Sequence, residues 1–454
     1  MFTRQDLFAV ALASLLFAGA TEGTLRPTRA AAQAPADVTP PSQPTVRAVT
    51  TGSGVRDERD SMGPHYTLED ALRAMRAQHP QLVAAERAVD AARADRRATS
   101  LWTNPVVEAQ YYMSIHNNSY DPIGYPTYGL TQFIEFANAP AARGRAANLT
   151  VWATRGDYGS MVIELSMDVQ AAMIDLVQAQ RKVALVGQAL ELLDHAAHIV
   201  DQRVAAGATP RYDSTRIAVT TAIAHSDYES LRADFARAQG ELNAAIGPGV
   251  STLRGQPYYL LDQAPELPSA AELVDILVKR RPDLEAARQR AEAAKVAISS
   301  TRRAVWPGMS ISAIGGFGNA PGQVDVGVGV SVPLPVVDYG QGIIPGAQAR
   351  ALQAQANYDA VLIPARLRIY GMHQEVVTRR RAYEEYIGRA VASGDEMLKE
   401  AQAGYLSGRF SVLELVDAYV AWRDSRLRAV DLAAAARNAE VELSRTIGAR
   451  LPGR

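Results

Sequence analysis

The chain has no cysteine, which rules out disulfides, thiolate metal sites, thiol nucleophiles and lipid attachment through an N-terminal cysteine. It has no run of eighteen apolar residues, so no helical membrane span is expected. It also lacks an excess of charge: 47 Lys and Arg stand against 48 Asp and Glu, leaving no general basic surface for nucleic acid. No set of acid, base and nucleophile is grouped in the sequence, so no catalytic residue and no cofactor are assigned and the chain is read as a non-enzyme. At 454 residues it exceeds what one hydrophobic core usually serves, and a repeat or multidomain architecture is expected.

What is present begins with a secretion signal. Leu7 to Ala18 has the length and composition of a signal h-region, Arg4 supplies an n-region charge, and Ala18-Gly19-Ala20 supplies a small-x-small cleavage site. Residues 1–20 are therefore read as a signal peptide, with Ala30-Ala31-Ala32 as a later cleavage site. Residues 21–64, rich in Pro, Thr and Ser from Gln33 to about Asp60, are read as a flexible extension.

Beyond it the chain repeats itself. Pro80 to Pro105 spans 25 residues, as does Pro282 to Pro307; Gly207 to Gly247 spans 40, as does Gly408 to Gly448. Agreement of these spacings over so long a stretch predicts an internal duplication, with repeats at 65–250 and 267–454 joined by a connector at 251–266. Each half reads as helix, strand pair, long helix, turn, helix. In the first half the helices are expected near Gln81–Thr103, Ala146–Ala206 and Pro210–Ile246. The long one is about 90 Å at 1.5 Å per residue, more than a globular domain needs and enough for a tube.

Along that helix Val169, Ala172, Leu176, Ala179, Val183, Val186, Leu190, Leu193, Ala197, Val200 and Val204 alternate steps of three and four, a coiled-coil seam. The strands alternate by two. Val107, Ala109, Tyr111, Met113 and Ile115 share one face; Met309, Ile311, Ala313 and Phe317 share another. In the last strand Val326, Val328 and Val330 are assigned to lipid, opposite Gly327 and Gly329. Gln132 interrupts the apolar face of Tyr128–Phe136. Five tyrosines, Tyr111, Tyr112, Tyr120, Tyr125 and Tyr128, cluster near one strand pair as an interfacial girdle would. Four strands cannot close a barrel, and open edges do not survive in lipid, so membrane strands require oligomerisation.

In order and spacing these features resemble the TolC family of outer-membrane factors over residues 65–450. The residues that carry the resemblance are Tyr66-Thr-Leu-Glu-Asp-Ala-Leu, Arg281-Pro-Asp-Leu-Glu-Ala-Ala, Trp306-Pro307, Val332-Pro-Leu-Pro and the turns Gly207/Asp213 and Gly408/Glu414. The resemblance implies a mainly α protein with membrane β: duplicated coiled coils forming a periplasmic α-barrel, and four strands per chain in a trimeric twelve-stranded outer-membrane β-barrel. It implies a homotrimer in outer-membrane lipid, working with a periplasmic adaptor and an inner-membrane pump. The Val-Pro-Leu-Pro segment is closer to cation- and drug-efflux members than to type I secretion members. Glu135-Phe-Ala-Asn-Ala-Pro stands where family members carry a glycine-rich turn. The rival reading is a periplasmic coiled-coil scaffold or envelope tether without a pore.

By the same resemblance the helix turns at Gly207 and Gly408 form the periplasmic tip. Asp213, Glu414 and Asp417 are expected near the mouth as a cation-favouring ring, with Arg211, Arg216 and Arg409 close enough in sequence to pair with them. Helix capping by Asp213 is the plainer role for an acid there. Asp194, His195 and His198 are read as a solvated helix face rather than a metal site, and Gly315-Gly-Phe-Gly as small barrel residues rather than a phosphate loop.

Overall fold

The computed structural model describes residues 65–114, 123–305, 308–317 and 323–451. The signal and extension at 1–64, together with Ile115, Tyr120 and Trp306-Pro307, lie outside the described residues.

The first repeat opens with β1 (His65–Thr67), α1 (Leu68–Gln78) and α2 (Pro80–Thr99), followed by β2 (Val106–Ser114) and β3 (Ile123–Glu135). A long α3 (Ala139–Ala205) and α4 (Arg211–Ile246) complete it, and β4 (Gln256–Tyr258) lies in the connector. The second repeat has α5 (Ala270–Arg280), α6 (Pro282–Ala304), β5 (Gly308–Phe317), β6 (Val324–Ser331), α7 (Ile343–Tyr386), α8 (Ala392–Leu406) and α9 (Val412–Ile447). A single π turn, Ile387–Val391, joins α7 to α8.

The duplication extends to local chemistry. Thr67 caps α1 in a reciprocal box with Asp70, and Ser269 caps α5 in the same way with Glu272. Pro80 and Pro282 each start a helix, where a missing N–H costs nothing. Gly207, Gly247, Gly408 and Gly448 all take positive φ, between 67° and 72°. The two closing glycines sit against the residues that precede Pro80 and Pro282: a side chain at Gly247 would crowd the His79 ring, and one at Gly448 would strike Arg281.

At 67 residues, α3 is about 100 Å long. It starts seven residues before the sequence pattern indicates, because the chain enters it without a glycine: Asn138 adopts the left-handed conformation at φ 54°, which Asn tolerates better than most residues. Arg143 in the first turns then clamps the Glu135 carboxylate with both guanidinium nitrogens. The expected seam is the packed one: every residue from Val169 to Val204 in the series is buried or half-buried.

Helices α2 and α4 both pack along α3, while α6 and α9 pack between α3 and α7. Near the middle of α3, Leu165, Val169 and Leu176 meet Ala71, Met75, Leu242 and Ile246 in one core. In the second repeat Ala365, Ile369 and Val376 meet Leu273, Leu277, Leu443 and Ile447 in a matching one. Beside these cores β1 and β4 pair in parallel, tying the start of the first repeat to the connector.

Candidate functional site

The four long strands form one antiparallel sheet in the order β2-β3-β5-β6, so β2 and β6 carry its edges among the described residues. The register separates its two faces. On one, Val107, Ala109 and Tyr111 line up with Leu130, Tyr128 and Pro126. These continue into Ala313, Gly315 and Phe317, then into Val328, Val326 and Val324. On the other, Glu108 and Gln110 lie across from Gly129 and Thr127, and Ser312 and Gly316 across from Gly329 and Asp325. A strand pairs opposed residues on the same side, so alternation in sequence becomes one oily face, interrupted by Gln132, and one mostly polar or small face that also carries Phe133 and Ile314.

Val326 and Val328 are 80% and 79% exposed and Val330 is 65% exposed, although they lie in the middle of a hydrogen-bonded strand. Gln132, the interruption on the oily face, turns its amide away from an apolar setting. It donates to the Thr103 carbonyl at 2.9 Å and to the Phe133 carbonyl at 2.8 Å, at the end of the sheet nearest the helices. Gly315 and Gly316 lie inside β5 and form no phosphate-binding loop. Gly316 admits close approach of β3, since a side chain there would strike Thr127 and the Pro126 carbonyl.

At the far end of the helices the two turns come together over a shared core. Leu193, Val200 and Ile217 of the first repeat pack with Leu398, Tyr405, Leu415 and Trp422 of the second. Both turns close alike: the Ala208 amide donates to the Arg203 carbonyl, and the Arg409 amide to the Gly404 carbonyl. Arg203 crosses between them, donating to the Tyr405 carbonyl at 2.9 Å and stacking on the Tyr405 ring at 5.0 Å.

The six charged residues expected at the tip have different surroundings. Glu414 is the N3 acid of a capping box: the Ser411 amide and hydroxyl donate to its carboxylate at 2.6 and 2.9 Å. Those two bonds, the backbone one foremost, hold its acidity below the usual carboxylate range. Asp213 is not the cap of α4, whose start has no side-chain capping bond. Its charge is felt at Tyr405, whose hydroxyl is pushed up first by burial and then by Asp213, against Arg203. Asp417 is exposed and reaches Arg216 across α4 and α9 at 4.0 Å. Arg409 engages the Ser407 hydroxyl rather than any of the three acids. Arg211 lies exposed in the first turn of α4.

His198 shares a hydrogen bond with Gln202, and no group of metal-ligating side chains is assembled among the described residues. No helix among them is long and apolar enough to cross a membrane.

Sequence reasoning missed a buried polar cluster at mid-height. Glu440 is 4% exposed and receives Arg380 at 2.6 Å and Arg437 at 2.9 Å, while Arg437 also donates to the Gln263 carbonyl of the connector. The Tyr383 hydroxyl donates to Asp262 at 2.6 Å, and Arg181 reaches the same carboxylate. Burial raises Glu440 and lowers Arg437, and each partner opposes the shift of the other. The group fastens the connector to α3, α7 and α9. Arg181, Arg380, Tyr383, Arg437 and Glu440 lie in helices with ordinary charge spacing, and Asp262 and Gln263 in the irregular connector, which gives no signal of burial.

Residues 71–248 and 273–449 match the family described as Outer membrane efflux protein, in two segments that correspond to the two halves. The chain is 24% identical over 315 residues to the cobalt-zinc-cadmium resistance protein CzcC of Cupriavidus metallidurans, covering 68% of this chain and 72% of that one. It is 29% identical over 304 residues to the outer membrane protein OprJ of Pseudomonas aeruginosa, covering 63% and 61%. Its fold superposes on the solved structure of the transmembrane channel CusC with a TM-score of 0.70 at 19% identity, covering 84% and 92% of the two chains.

Proposed function

From the premise that this chain belongs to the outer membrane efflux protein family, we infer that it conducts small solutes or metal ions passively out of the cell. It is the outer-membrane channel of a tripartite efflux system, and it is not an enzyme. It acts as a homotrimer with a periplasmic adaptor and an inner-membrane pump, and extends from the outer membrane into the periplasm.

The observation that carries the reading is the sheet: one largely apolar face with exposed valines, one mostly small and polar face, and edges on β2 and β6. A scaffold or tether in water has no use for valines exposed in this way. Three copies supply twelve strands, the apolar face meets lipid, and the face with Gly327, Gly329 and Ser312 lines the pore. Residues 1–20 serve as the export signal. The decisive experiment is fractionation followed by planar-bilayer recording of the purified protein. The expected result is a trimer in the outer-membrane fraction with ohmic single-channel steps; a soluble periplasmic monomer would overturn the reading.

At the tip, the reading assigns Asp213 and Asp417 to the pore mouth, with Arg216 linking the two turns and Arg211 and Arg409 as further charges. The 4.0 Å approach of Arg216 to Asp417 across two repeats supports it, as does the absence of a capping duty for Asp213. Glu414 adds its charge while anchored as a cap. Cations are favoured by such a mouth, and metal cations are the cargo class preferred on the likeness to a metal-resistance protein. Asp213→Asn with Asp417→Asn is expected to shift the reversal potential under a salt gradient towards non-selectivity, with the trimer intact. An unchanged potential would remove both acids from the gate.

A further inference from the structure

The two ends of the helices differ in charge. At the end that meets the sheet, α2 and α6 finish while α3 and α7 begin. Eight residues, about two turns, were compared at each helix end. The last turns of α2 hold Arg93, Arg96 and Arg97, and those of α6 hold Arg302 and Arg303. The first turns of α3 hold Arg143 and Arg145, and those of α7 hold Arg350. Asp95 is the one carboxylate among them. The matching turns of α3, α4, α8 and α9 at the tip hold five acids and four bases.

Helix dipoles do not account for this collection. A dipole favours arginine at the ends of α2 and α6, but disfavours it at the starts of α3 and α7. Nor do local ion pairs absorb it. Arg143 is clamped to Glu135 and Arg93 to Asp90. Arg96, Arg97, Arg145 and Arg302 are exposed and enter no ion pair among the described residues.

The arginines lie where the exposed apolar face of the sheet ends. Val332 and Leu334 continue the alternation of Val326, Val328 and Val330 beyond β6, and both are exposed. Leu101 and Trp102, between α2 and β2, are exposed at the same end. An apolar band, then an indole, then unpaired cations is the order a lipid boundary selects, from acyl chains through the interface to phosphate.

We propose that Arg96, Arg97, Arg145 and Arg302 form a basic collar that binds the headgroups of anionic phospholipid in the leaflet on the helical side. The proposal rests on the channel reading, which puts the apolar face of the sheet in lipid. Arginine suits the role because its planar fork meets two phosphate oxygens at once. Such a collar fixes the height of the sheet in the membrane and makes the trimer more stable in an anionic leaflet than in a neutral one.

The test adds lipid to the purified trimer in neutral detergent and reads the temperature at which the trimer dissociates. Phosphatidylglycerol is expected to raise that temperature; phosphatidylcholine and soluble glycerol phosphate at the same concentration are expected to leave it unchanged. Arg96→Gln, Arg97→Gln, Arg145→Gln and Arg302→Gln together should raise the phosphatidylglycerol concentration needed for half the shift, by about fivefold for each arginine removed. Arg302→Gln alone, a smaller change, should give one such step, and Arg302→Lys should keep most of the response because the charge is kept. A conducting parent trimer that is indifferent to phosphatidylglycerol, or Gln variants with the parent's response, overturns the collar and leaves the channel reading standing. A glycerol phosphate response equal to that of the lipid overturns it as well. So does a reversal potential moved by the Gln variants with the lipid response intact, which would put these arginines on the pore wall. A parent chain that neither trimerises nor conducts overturns the channel reading and the collar with it.

Discussion

Met167, Met173 and Ile174 of α3 are closed off from solvent by their own chain, whereas Val326 and Val328 of β6 stand about four-fifths exposed. Both regions are regular and apolar on one face, α3 bonded along its own length and β6 paired to β5 along one edge. They differ in what the apolar face expects to meet. In the helical wall it meets other helices, so water is excluded within the chain and side-chain fit sets stability. On the proposed channel reading the sheet's apolar face meets lipid instead, so no fit is required, and only charge and backbone pairing are policed.

The strongest way to break that contrast is Val328→Arg. A cation on the lipid face near mid-membrane costs about 2–4 kcal/mol per chain, and the trimer carries the change three times. We expect severe loss of assembled trimer in outer-membrane fractions. Leu176→Ala acts in the wall: by large-to-small precedent it costs about 2–5 kcal/mol, seen as a lower melting temperature of purified trimer while insertion proceeds. If the two variants fail in the same assay in the same way, the two faces are not doing different things.

A smaller effect separates the two helix turns. Ser411→Ala removes the α9 cap at a cost of about 0.5–2 kcal/mol, with faster amide exchange in residues 411–415. The cap is also acid-sensitive. The Glu414 carboxylate titrates below its ordinary value in the folded chain, so its contribution is full at neutral pH, begins to fall as pH enters the ordinary carboxylate range and is lost as pH drops on through the lowered folded value. Glu414→Gln should keep the cap, because an amide can fill the same role, and abolish its acid dependence. The α4 turn, without a side-chain cap, should show no comparable transition. The smallest effect belongs to Gly327→Ser on the polar face of β6, where an added side chain meets nothing within 4 Å. Trimer yield is expected to stay near that of the parent, and a loss matching Val328→Arg would reverse the assignment of the faces.

The duplication, the α3 seam and the strand faces were legible because each is periodic, and periodicity survives in a single sequence. The capping box at Ser411 has a local spacing, Ser-Val-Leu-Glu before an apolar run, but the reading of Glu414 as a mouth acid passed over it. A second packed face of α3 was not legible. Ile163, Met167, Ile174 and Val177 gain meaning only against α9, more than two hundred residues away. The β1–β4 pair is three residues long on each side, too short to carry a pattern. Arg437 and Glu440 look like any exposed i,i+3 pair until tertiary packing buries them.

The π turn at Ile387–Val391 can be understood as a phase correction. A seam repeating every 3.5 residues slips about 20° per heptad around a straight helix of 3.6 residues per turn. Over nine heptads the slip approaches half a revolution, so a helix of this length must either wind continuously around its neighbours or be reset somewhere. α3 runs through 67 residues without interruption and therefore takes up the slip by winding. Between α7 and α8, one extra residue accommodated in a wide turn sets the azimuth back by about 100° at a single point. The face that carries Leu398, Ala401 and Tyr405 into the tip core is aimed by that step, some 20 residues before the chain reverses. Deleting one residue there would leave both flanking helices intact yet rotate every tip contact of α8 out of the seam.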